Sequence, residues 1–301
     1  MRLKYNTKLI LWAYIFLFPS LVSLGIVILY PILDAFYISF FRWNLLSFEK
    51  SFIGLKNYEG LFQDSIFKKA LINTLYFSVI SVPVTLFIAL IIALMLNSLS
   101  TGIKNTLRTI YFIPVITSIV AVSFVWRWMF EPSYGPINHI LGFLGIHGIG
   151  WLSDTKWALP AIMIVNIWRN IGFYMVIFLA SLQMIPKEFL EAALIDGATS
   201  YKRFIYVVLP LLNPTVVFCL AISIIDALQI FTQVYVMTSG SGGIVPGGPL
   251  YSTTTIALYI YKIAFRDLEM GYATSVAFVL FLLIFIFTLI QIKFTERPFE
   301  Y

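Results

Sequence analysis

The stretch 191-EAALIDGATSYKRFIYVVLP-210 is a short polar segment in a chain whose other long segments are strongly apolar. Gly197 divides it into two parts, each with the composition of a helix. Pro186 suits the first turn of the first helix, and Gly197 suits the position just beyond its end, where the φ angle is positive. Thr199 or Ser200 can cap the second helix. The sequence therefore predicts a helical hairpin here.

The second helix of this hairpin is predicted to continue into an apolar segment. Its large apolar side chains repeat at positions i, i+3, i+4 and i+7, which places them on one face of a helix. They are Tyr201, Phe204, Ile205 and Val208. Charged side chains are concentrated in the hairpin, namely Glu188, Glu191, Asp196, Lys202 and Arg203. A stiff hairpin of this kind would transmit a push to a membrane helix. A short amphipathic linker without a partner has the same local pattern, so the residues alone leave both interpretations open.

The composition indicates that the chain lies in lipid. It has 301 residues, of which 60% are hydrophobic and 11% are charged, and its mean hydropathy is +0.92. Soluble domains contain roughly 25% charged residues, and one water-soluble core of this length cannot bury so many apolar side chains. The net charge of +6 is modest, and basic residues never occur in runs of more than two. No nucleic-acid partner is therefore expected.

Six segments are apolar over the roughly 20 residues that a membrane-spanning helix needs. They are Leu9–Leu33, Ala70–Asn97, Thr109–Phe130, Trp157–Leu182, Phe204–Met237 (one long or broken helix) and Tyr272–Ile292. The first is too long for the apolar region of a signal peptide, and no small-residue cleavage site follows it, so we expect an uncleaved anchor. The segments lack strand alternation. The predicted fold is therefore an all-α integral membrane protein with six transmembrane helices.

Basic residues in the loops predict the orientation. With six spans, both termini share one side of the membrane with residues 98–108 and 183–203. That side carries ten lysines and arginines in 49 positions, against eight in 96 on the other side. Cytoplasmic loops are the ones enriched in these residues, so both termini and the hairpin are predicted to be cytoplasmic. In the first outer loop, residues 54–74 carry apolar side chains at helical spacing, which indicates an amphipathic helix at the interface.

Few residues support catalysis or metal binding. The single Cys219 excludes an intrachain disulfide and a cysteine-rich metal site, and the isolated His139 and His147 are more simply interpreted as solvated loop residues. The stretch 239-SGSGGIVPGGP-249 lacks the Lys-[Ser/Thr] of a phosphate-binding loop, and we interpret it as a flexible connector. The sequence contains no ATPase motif. We therefore expect no catalytic residues, no bound metal and no bound cofactor in this chain.

Two charged residues lie inside predicted spans, Arg169 in the fourth and Asp226 in the fifth. A charge at the centre of a membrane helix costs about 2.5–3.5 kcal/mol on insertion scales, so such residues usually face a polar cavity or a partner. Three interpretations stay open: the two side chains pair, one or both line a polar pathway, or they reach the interface or another subunit. Arg127 lies between two tryptophans and is predicted to be an interfacial anchor.

Several motifs resemble those of one transporter family. The hairpin is similar to the EAA loop of that family, with Glu191-Ala192-Ala193, Gly197 and Leu209-Pro210 at the family spacing. Other similar blocks follow in the family order: 54-GLKNYEGLF-62, 73-NTLYFS-78, 113-IPVITSIVAVSFVWRWMF-130, 167-IWRNIGFYMVIFLASLQMIP-186, 231-FTQVYVMT-238 and 271-GYATSVAFVLF-281. From about residue 10 to residue 295, the chain resembles the permease subunits of binding-protein-dependent ABC sugar importers of the maltose and glycerol-phosphate type.

This resemblance implies the type I ABC importer permease fold and a set of partners. They are a second homologous permease subunit, two cytoplasmic ATPase subunits that bind ATP and Mg, an extracytoplasmic solute-binding protein and a carbohydrate substrate. The implied location is the cytoplasmic membrane of a bacterium or archaeon, in contact with membrane lipid. In this family the hairpin is a coupling helix seated in a cleft of the ATPase subunit. The residues implied at this contact are Glu188, Glu191, Ala192, Ala193, Asp196 and Gly197.

The resemblance also implies a division of the chain and a route for the substrate. Residues 1–69 would form an N-terminal anchor helix and an outer interfacial loop, and residues 70–301 a five-helix permease core with the coupling hairpin 186–208. Side chains of the fourth and fifth spans would line the sugar pathway, namely Asn166, Trp168, Arg169, Asn170, Asp226, Gln229, Gln233 and Tyr235. Many family permeases hold a basic residue at the position of Arg169 whatever sugar they carry, which favours a structural role for it.

Two departures from the family pattern lie near the outer end of the fifth span. Thr232 stands where the family usually has an acidic residue, and the usual Thr-x-Gly-Gly-Pro is stretched between Thr238 and Pro249. The alternative function is a self-contained secondary transporter. That function predicts inverted repeats with broken helices at matching places in two halves, and the sequence contains no such repeat.

Overall fold

The computed structural model describes residues 2–47, 49–146, 148–239 and 246–295. His147, Arg297 and the centre of the Gly-rich stretch, residues 240–245, lie outside the described residues. In chain order the elements are α1 (Arg2–Ser23), a π-helical segment (Leu24–Leu29), α2 (Tyr30–Ile38), β1 (Phe41–Trp43), β2 (Lys50–Phe52), α3 (Lys56–Gln63), α4 (Ser65–Asn97), α5 (Thr101–Ile116), α6 (Ile119–Met129), α7 (Pro136–Phe143), α8 (Ala158–Met184), α9 (Lys187–Ile195), α10 (Ser200–Arg203), a π-helical segment (Phe204–Val208), α11 (Leu209–Leu211), α12 (Asn213–Leu228), α13 (Thr232–Thr238), a 3₁₀ turn (Pro249–Tyr251), α14 (Ile256–Phe265) and α15 (Met270–Thr295).

Four of the described helices are long and apolar enough to cross a membrane. They are Leu9–Ile38 (the run from α1 into α2), Ser65–Asn97, Ala158–Met184 and Met270–Lys293. Two bent pairs, α5 with α6 and the run Ser200–Leu211 with α12, bring the number to six if each pair is one span. The all-α membrane class is therefore confirmed. The count of six spans and the cytoplasmic termini stay predictions.

The third span differs from the prediction, which had one helix over Thr109–Phe130. α5 ends at Ile116, α6 begins at Ile119, and the two axes are bent by 94°. The two residues between them have extended backbones. Pro114 has no N–H for the helical ladder, and the Oγ1 atom of Thr117 donates to its carbonyl oxygen at 2.7 Å. Hydropathy cannot show this break because both halves are apolar.

The fifth span, predicted over Phe204–Met237 as one long or broken helix, is broken. The axis turns by 66° at Leu212, between the run Ser200–Leu211 and α12. Pro210 and Pro214 flank this point, and each removes one backbone donor. A second break separates α12 from α13, where Phe231 has φ −133° and ψ −61°.

The amphipathic helix predicted within residues 54–74 is present as α3, which ends at Gln63. The membrane helix α4 begins at Ser65, earlier than the predicted Ala70. The reason is Asp64, whose Oδ1 atom accepts hydrogen bonds from the backbone nitrogens of Ile66 at 2.8 Å and Phe67 at 3.1 Å. Such an N-cap starts a helix regardless of where the apolar run begins.

By its contacts the chain forms two units, residues 1–63 with 260–279, and residues 64–259 with 280–301. In the first unit, β1 and β2 form an antiparallel hairpin in which Trp43 lies opposite Lys50. Gly271, in the first turn of α15, lies so close to the carbonyl oxygen of Phe41 that there is no room for a Cβ atom. The β hairpin and the start of α15 therefore pack backbone against backbone.

In the second unit, α4 packs along α8 more extensively than any other two helices do. Small side chains make this possible, because Ala89, Ala93 and Ala161 are fully buried. Gly172 of α8 lies against the carbonyl of Tyr111 in α5, with no room for a Cβ atom. α8 is thus the central helix of this unit and carries several of the predicted pathway residues.

Candidate functional site

The hairpin predicted from the sequence is present, and its turn is a Schellman motif. α9 ends at Ile195, and Gly197 follows with a φ angle of +73°. The backbone nitrogen of Ala198 donates to the carbonyl of Ala193 at 2.9 Å, and that of Gly197 donates to the carbonyl of Leu194 at 3.0 Å. Both hydrogen bonds satisfy carbonyl groups that the end of a helix otherwise leaves free.

Thr199, and not Ser200, caps the second helix of the hairpin. Its side-chain oxygen accepts a hydrogen bond from the backbone nitrogen of Lys202 at 3.4 Å. α10 continues through a π-helical segment into α11 and reaches the 66° bend at Leu212. The predicted continuity with the fifth span is therefore present from Ser200 to Leu211, and the direction of α12 beyond the bend is different.

The first helix of the hairpin, α9, is exposed. No side chain of α9 is buried, and the apolar Ile195 is 87% exposed. Glu188 and Glu191 are also exposed on this helix. Large apolar side chains exposed together are typical of a surface that contacts a protein or a membrane.

A second candidate region is a polar cavity between the membrane helices α4, α8 and α12. Its volume is about 20 Å³, enough for about one water molecule. The residues that line it are Ser81, Val82, Thr85, Asn166, Asn170, Tyr174, Ser223, Asp226 and Ala227. It brings together three of the residues predicted to line a pathway, namely Asn166, Asn170 and Asp226.

Gln233, another predicted pathway residue, is joined to this cavity through Asn166. The Nδ2 atom of Asn166 donates to the Oε1 atom of Gln233 at 2.9 Å. Gln233 is only 1% exposed, and its Nε2 atom has no hydrogen-bond partner within the part of the chain that the structure describes. The hydrogen bond therefore links α8 to α13 across the break in the fifth span.

Arg169 is held at the end of α5. Its Nη2 atom donates to the carbonyl of Val115 at 3.3 Å, and its Nη1 atom donates to Oδ1 of Asn170 at 3.5 Å. Val115 lies in the last turn of α5, where carbonyl oxygens lack helical partners and a positive charge is favourable. Arg169 therefore stabilises the break in the third span by joining it to α8.

Arg169 and Asp226 do not form a direct ion pair. Over residues 2–47, 49–146, 148–239 and 246–295, no nitrogen of Arg169 lies within 4.0 Å of a carboxylate oxygen of Asp226. Asp226 is instead exposed in the isolated chain, although it belongs to an apolar helix. Since lipid does not tolerate an exposed carboxylate at such a position, its side chain faces water or a partner.

The remaining predicted pathway residues do not line the cavity. Trp168 packs edge-to-face on Trp126, with ring centroids 5.4 Å apart. Tyr235 stacks on Phe231 at 5.5 Å. Gln229 is exposed at the C-cap of α12. These three side chains are thus placed individually rather than in one cluster.

Sequence analysis missed four polar side chains of the cavity, namely Ser81, Thr85, Tyr174 and Ser223. The sequence contains a pattern that indicates two of these side chains, Ser81 and Thr85. Hydroxyl side chains occur on α4 at spacings of four, three and four residues, namely Thr74, Ser78, Ser81 and Thr85, and all four are buried. This spacing puts one hydroxyl stripe on one helix face. Tyr174 and Ser223 carry no such signal.

Two further predicted features form contacts that the sequence did not indicate. Arg127, whose role as an interfacial anchor stays a prediction, donates a hydrogen bond to the carbonyl of Ser239, the C-cap of α13. The described end of the Gly-rich stretch is not a flexible connector, because the nitrogen of Gly247 donates to Oγ1 of Thr238 at 3.0 Å and its carbonyl accepts from the nitrogen of Thr253 at 2.9 Å. The first contact joins residues far apart along the chain, whereas the contacts of Gly247 join residues within one loop.

Neither candidate region has a set of metal ligands. Among the described residues, no group of three or more His, Cys, Asp or Glu side chains lies together. Cys219 is a buried free thiol, and His139 packs edge-to-face on Phe143 at 5.3 Å. The polar cavity offers hydroxyls, carboxamides and one carboxylate, groups that can hydrogen-bond water or a polar ligand.

Comparison with known proteins finds one family. A profile of the family "Binding-protein-dependent transport system inner membrane component" matches residues 71–297. The chain is 37% identical to the lactose transport system permease protein LacF of Rhizobium radiobacter, over 92% of each chain. It is 33% identical to the trehalose/maltose transport system permease protein MalF of Thermococcus litoralis, over 97% of this chain and 95% of the relative.

Solved structures agree in fold. The chain is similar to a subunit of a bacterial ABC transporter involved in the import of the acidic polysaccharide alginate, with a TM-score of 0.83 and 25% sequence identity, over 100% of both chains.

Proposed function

The chain belongs to the family of binding-protein-dependent transport system inner membrane components, and from this membership we propose how it takes part in sugar uptake. It is a multi-pass protein of a bacterial or archaeal cytoplasmic membrane and a non-catalytic permease component of a sugar ABC importer. We propose that its substrate is an oligosaccharide-type carbohydrate. Relatives named for lactose, trehalose/maltose and arabinooligosaccharide transport support this substrate class.

We further propose that the chain forms half of the translocation pathway and that a second homologous permease subunit forms the other half. Two cytoplasmic ATPase subunits would bind ATP and Mg, and an extracytoplasmic solute-binding protein would deliver the sugar. The family description, which names dependence on a binding protein, supports this last partner. The alternative of a self-contained secondary transporter has no support in these comparisons.

The observation that carries the coupling proposal is the exposed hairpin. Its turn is rigidly hydrogen-bonded, yet α9 buries none of its side chains, and Ile195 is 87% exposed. We propose that α9 is seated on the ATPase subunit through Glu188, Glu191, Ala192, Ala193, Asp196 and Gly197. The carboxylates would make polar contacts, the alanines would allow close approach, and Gly197 would permit the turn.

We propose that the sugar passes along the polar groups of the fourth and fifth spans. They are Asn166, Trp168, Arg169, Asn170, Asp226, Gln229, Gln233 and Tyr235. The exposed carboxylate of Asp226 inside an apolar helix supports this route, as do the hydroxyl groups of Ser81 and Thr85 in the same cavity. Along this route Arg169 would also position α8 against the broken third span, as its hydrogen bond to the carbonyl of Val115 supports.

The orientation and the division of the chain are part of the same proposal. Both termini and the hairpin would be cytoplasmic, and the chain would cross the membrane six times, with each bent pair counted as one span. Residues 1–69 would serve as anchor and outer loop, and residues 70–301 as the permease core. The excess of lysine and arginine in the loops on the hairpin side supports this orientation.

The coupling proposal is tested by the substitution Glu191→Lys in the purified complex reconstituted into proteoliposomes. Reversal of a charge at an interface costs on the order of 1.4 kcal/mol or more, about tenfold in affinity. We expect ATPase subunits to copurify less well, and sugar-stimulated ATP hydrolysis and sugar uptake to fall together. Membrane insertion should be unchanged, because Glu191 is exposed and outside the apolar helices.

The matched control is Glu59→Lys, the same charge reversal at an exposed position of α3. It should leave uptake and ATPase association at the wild-type level. Uptake by Glu191→Lys equal to that of Glu59→Lys would overturn the coupling role of the hairpin.

A further inference from the structure

A pocket of about 470 Å³ lies within the first unit, apart from the regions discussed above. Its size is that of pockets that hold small ligands. Its charged, polar and aromatic walls include Arg42, Trp43, Lys56, Asn57, Glu269 and Tyr272. None of them is among the residues proposed for coupling or for the sugar pathway.

The pocket lies where two apolar membrane helices end. The run Leu9–Ile38 ends immediately before the β hairpin, and the span Met270–Lys293 begins beside it. The two helices touch near these ends, because the rings of Phe36 and Phe278 are 4.5 Å apart. Residues that follow the end of a membrane helix lie at the level of the lipid headgroups. Trp43 and Tyr272 are of the types that are enriched at this level.

The pocket has excess positive charge. Arg42 and Lys56 line it, and neither has an acidic partner within 4.0 Å over the described ranges of the chain. Glu269 is the single carboxylate among the pocket residues, so one positive charge is left over. The Nζ atom of Lys50 lies 3.8 Å from the ring centroid of Trp43, so a further cation lies beside one of the pocket residues.

The wall of the pocket is rigid. Asn57 is 8% exposed, and its Nδ2 atom donates to the carbonyl of Ser39 at 2.7 Å and to that of Phe41 at 3.0 Å. The nitrogen of Leu45 donates to the carbonyl of Leu268 at 3.0 Å. The segments that carry Arg42 and Lys56 are thus held in place before any ligand arrives, which lowers the entropy cost of binding.

We propose that this pocket binds the phosphate of an anionic phospholipid headgroup through Arg42 and Lys56. A phosphate supplies the negative charge that the pocket lacks, and arginine and lysine are its usual partners in proteins. The exposed apolar side chains of Phe52 and Leu55 lie on the same segment and offer contact to the acyl chains of that lipid. The bound lipid would anchor the β hairpin at the membrane surface. This inference does not depend on the proposed transport function or on the orientation of the chain.

The test uses the purified transporter complex in nanodiscs that contain phosphatidylglycerol and phosphatidylcholine. Retention of phosphatidylglycerol after delipidation is measured by native mass spectrometry for the wild type and for Arg42→Gln/Lys56→Gln. Each basic residue near an anionic headgroup strengthens binding about fivefold, so we expect a loss of roughly 25-fold in the double variant. The control Lys68→Gln/Lys156→Gln removes the same charge at exposed positions outside the pocket and should retain the lipid like the wild type.

Two further measurements complete the test: a variant that keeps both positive charges, and competition by inorganic phosphate. Arg42→Lys/Lys56→Arg should retain phosphatidylglycerol within a few-fold of the wild type. Inorganic phosphate at millimolar concentration should not displace the lipid, and full displacement would assign the site to a free anion instead. Equal retention by Arg42→Gln/Lys56→Gln and the wild type would overturn the proposal. If that variant fails to assemble, a photoreactive phosphatidylglycerol is crosslinked to the wild type; crosslinks within residues 41–57 support the site, and their absence overturns it.

Discussion

Gln233 is a buried carboxamide with one hydrogen bond, and that bond comes from Asn166 at 2.9 Å. Gln229, four residues earlier, is exposed, and its side chain makes no hydrogen bond within the described residues. The two amides have the same chemistry and opposite surroundings. The buried amide of Gln233 can therefore act on the pathway only through Asn166, whereas the exposed amide of Gln229 can contact a substrate directly.

At the residue scale we predict different consequences for Asn166→Ala and Gln229→Ala. Asn166→Ala leaves the buried amide of Gln233 without its partner, which costs about 1–3 kcal/mol, so the melting temperature of the complex should fall. Gln229→Ala should leave the melting temperature unchanged and raise the KM for sugar by about 2- to 10-fold, the worth of one neutral hydrogen bond. Thermal unfolding and sugar uptake in proteoliposomes measure the two effects. An unchanged KM for Gln229→Ala would remove this residue from the pathway.

The hairpin and the helix breaks differ in what determines their backbone conformation. The positive φ angle at Gly197 and a cap at Thr199 or Ser200 follow from local sequence, and the structure shows a Schellman turn at Gly197 and Thr199 as the cap. The helix breaks at Thr117 and Leu212 are different, because each needs a partner for the backbone groups that it frees. At the first break, the guanidinium of Arg169 supplies this partner from another helix.

At the element scale we predict that Gly197→Ala loosens the hairpin without any steric clash. Gly197 has a φ angle of +73°, and nothing lies within 4 Å of the position of an added Cβ atom. The cost is therefore backbone strain alone, about 1–2 kcal/mol for an L-residue in this conformation. Amide hydrogen exchange over residues 187–203 should become about 5- to 30-fold faster, and uptake should fall with it.

Two companion variants check that prediction. Gly197→Asn should lie between alanine and the wild type, because asparagine tolerates the left-handed conformation best after glycine. Gly102→Ala, in open space within α5 and without a positive φ angle, should leave hairpin exchange unchanged. Equal exchange rates in Gly197→Ala and the wild type would contradict the role given to this glycine.

The whole molecule leaves many large apolar side chains exposed within the described residues. The membrane run Leu9–Ile38 buries none of its residues within the chain, and only 22% of the residues in an 18-residue apolar stretch of the span Met270–Lys293 are buried. Surfaces of this kind require lipid or a partner subunit. The isolated chain is therefore an incomplete assembly, in agreement with its membership of a family of multi-component transporters.

At the scale of the whole molecule we predict that Leu46 and Ile195 lie on opposite sides of the membrane. Cys219, the single cysteine of the chain, is buried, so Leu46→Cys and Ile195→Cys can be introduced one at a time in a Cys219→Ala background. Both positions are strongly exposed, at 74% and 87%. A membrane-impermeant maleimide should label Leu46→Cys in intact cells and Ile195→Cys only after permeabilisation. Labelling of both from the same side would contradict the six-span topology.

Much of this architecture was predictable because a lipid solvent imposes simple rules. Helix class, the approximate position of every long apolar segment and the hairpin turn follow from composition, periodicity and the chemistry of glycine and proline. Family resemblance also pointed to Asn166, Asn170 and Asp226, which the structure places around one cavity. Ser223 and Tyr174 were not predictable, because nothing in their local sequence indicates which face of their helices meets the cavity.

The sequence by itself determined that this chain is a helical membrane protein with an exposed helical hairpin, since these properties depend on apolar length and on local backbone preferences. Only the tertiary structure decided where the spans bend, that Arg169 holds the carbonyl of Val115 rather than the carboxylate of Asp226, and that Arg127 caps α13. The physical reason is that polar groups in lipid must find partners, and those partners are supplied by helices far apart along the chain.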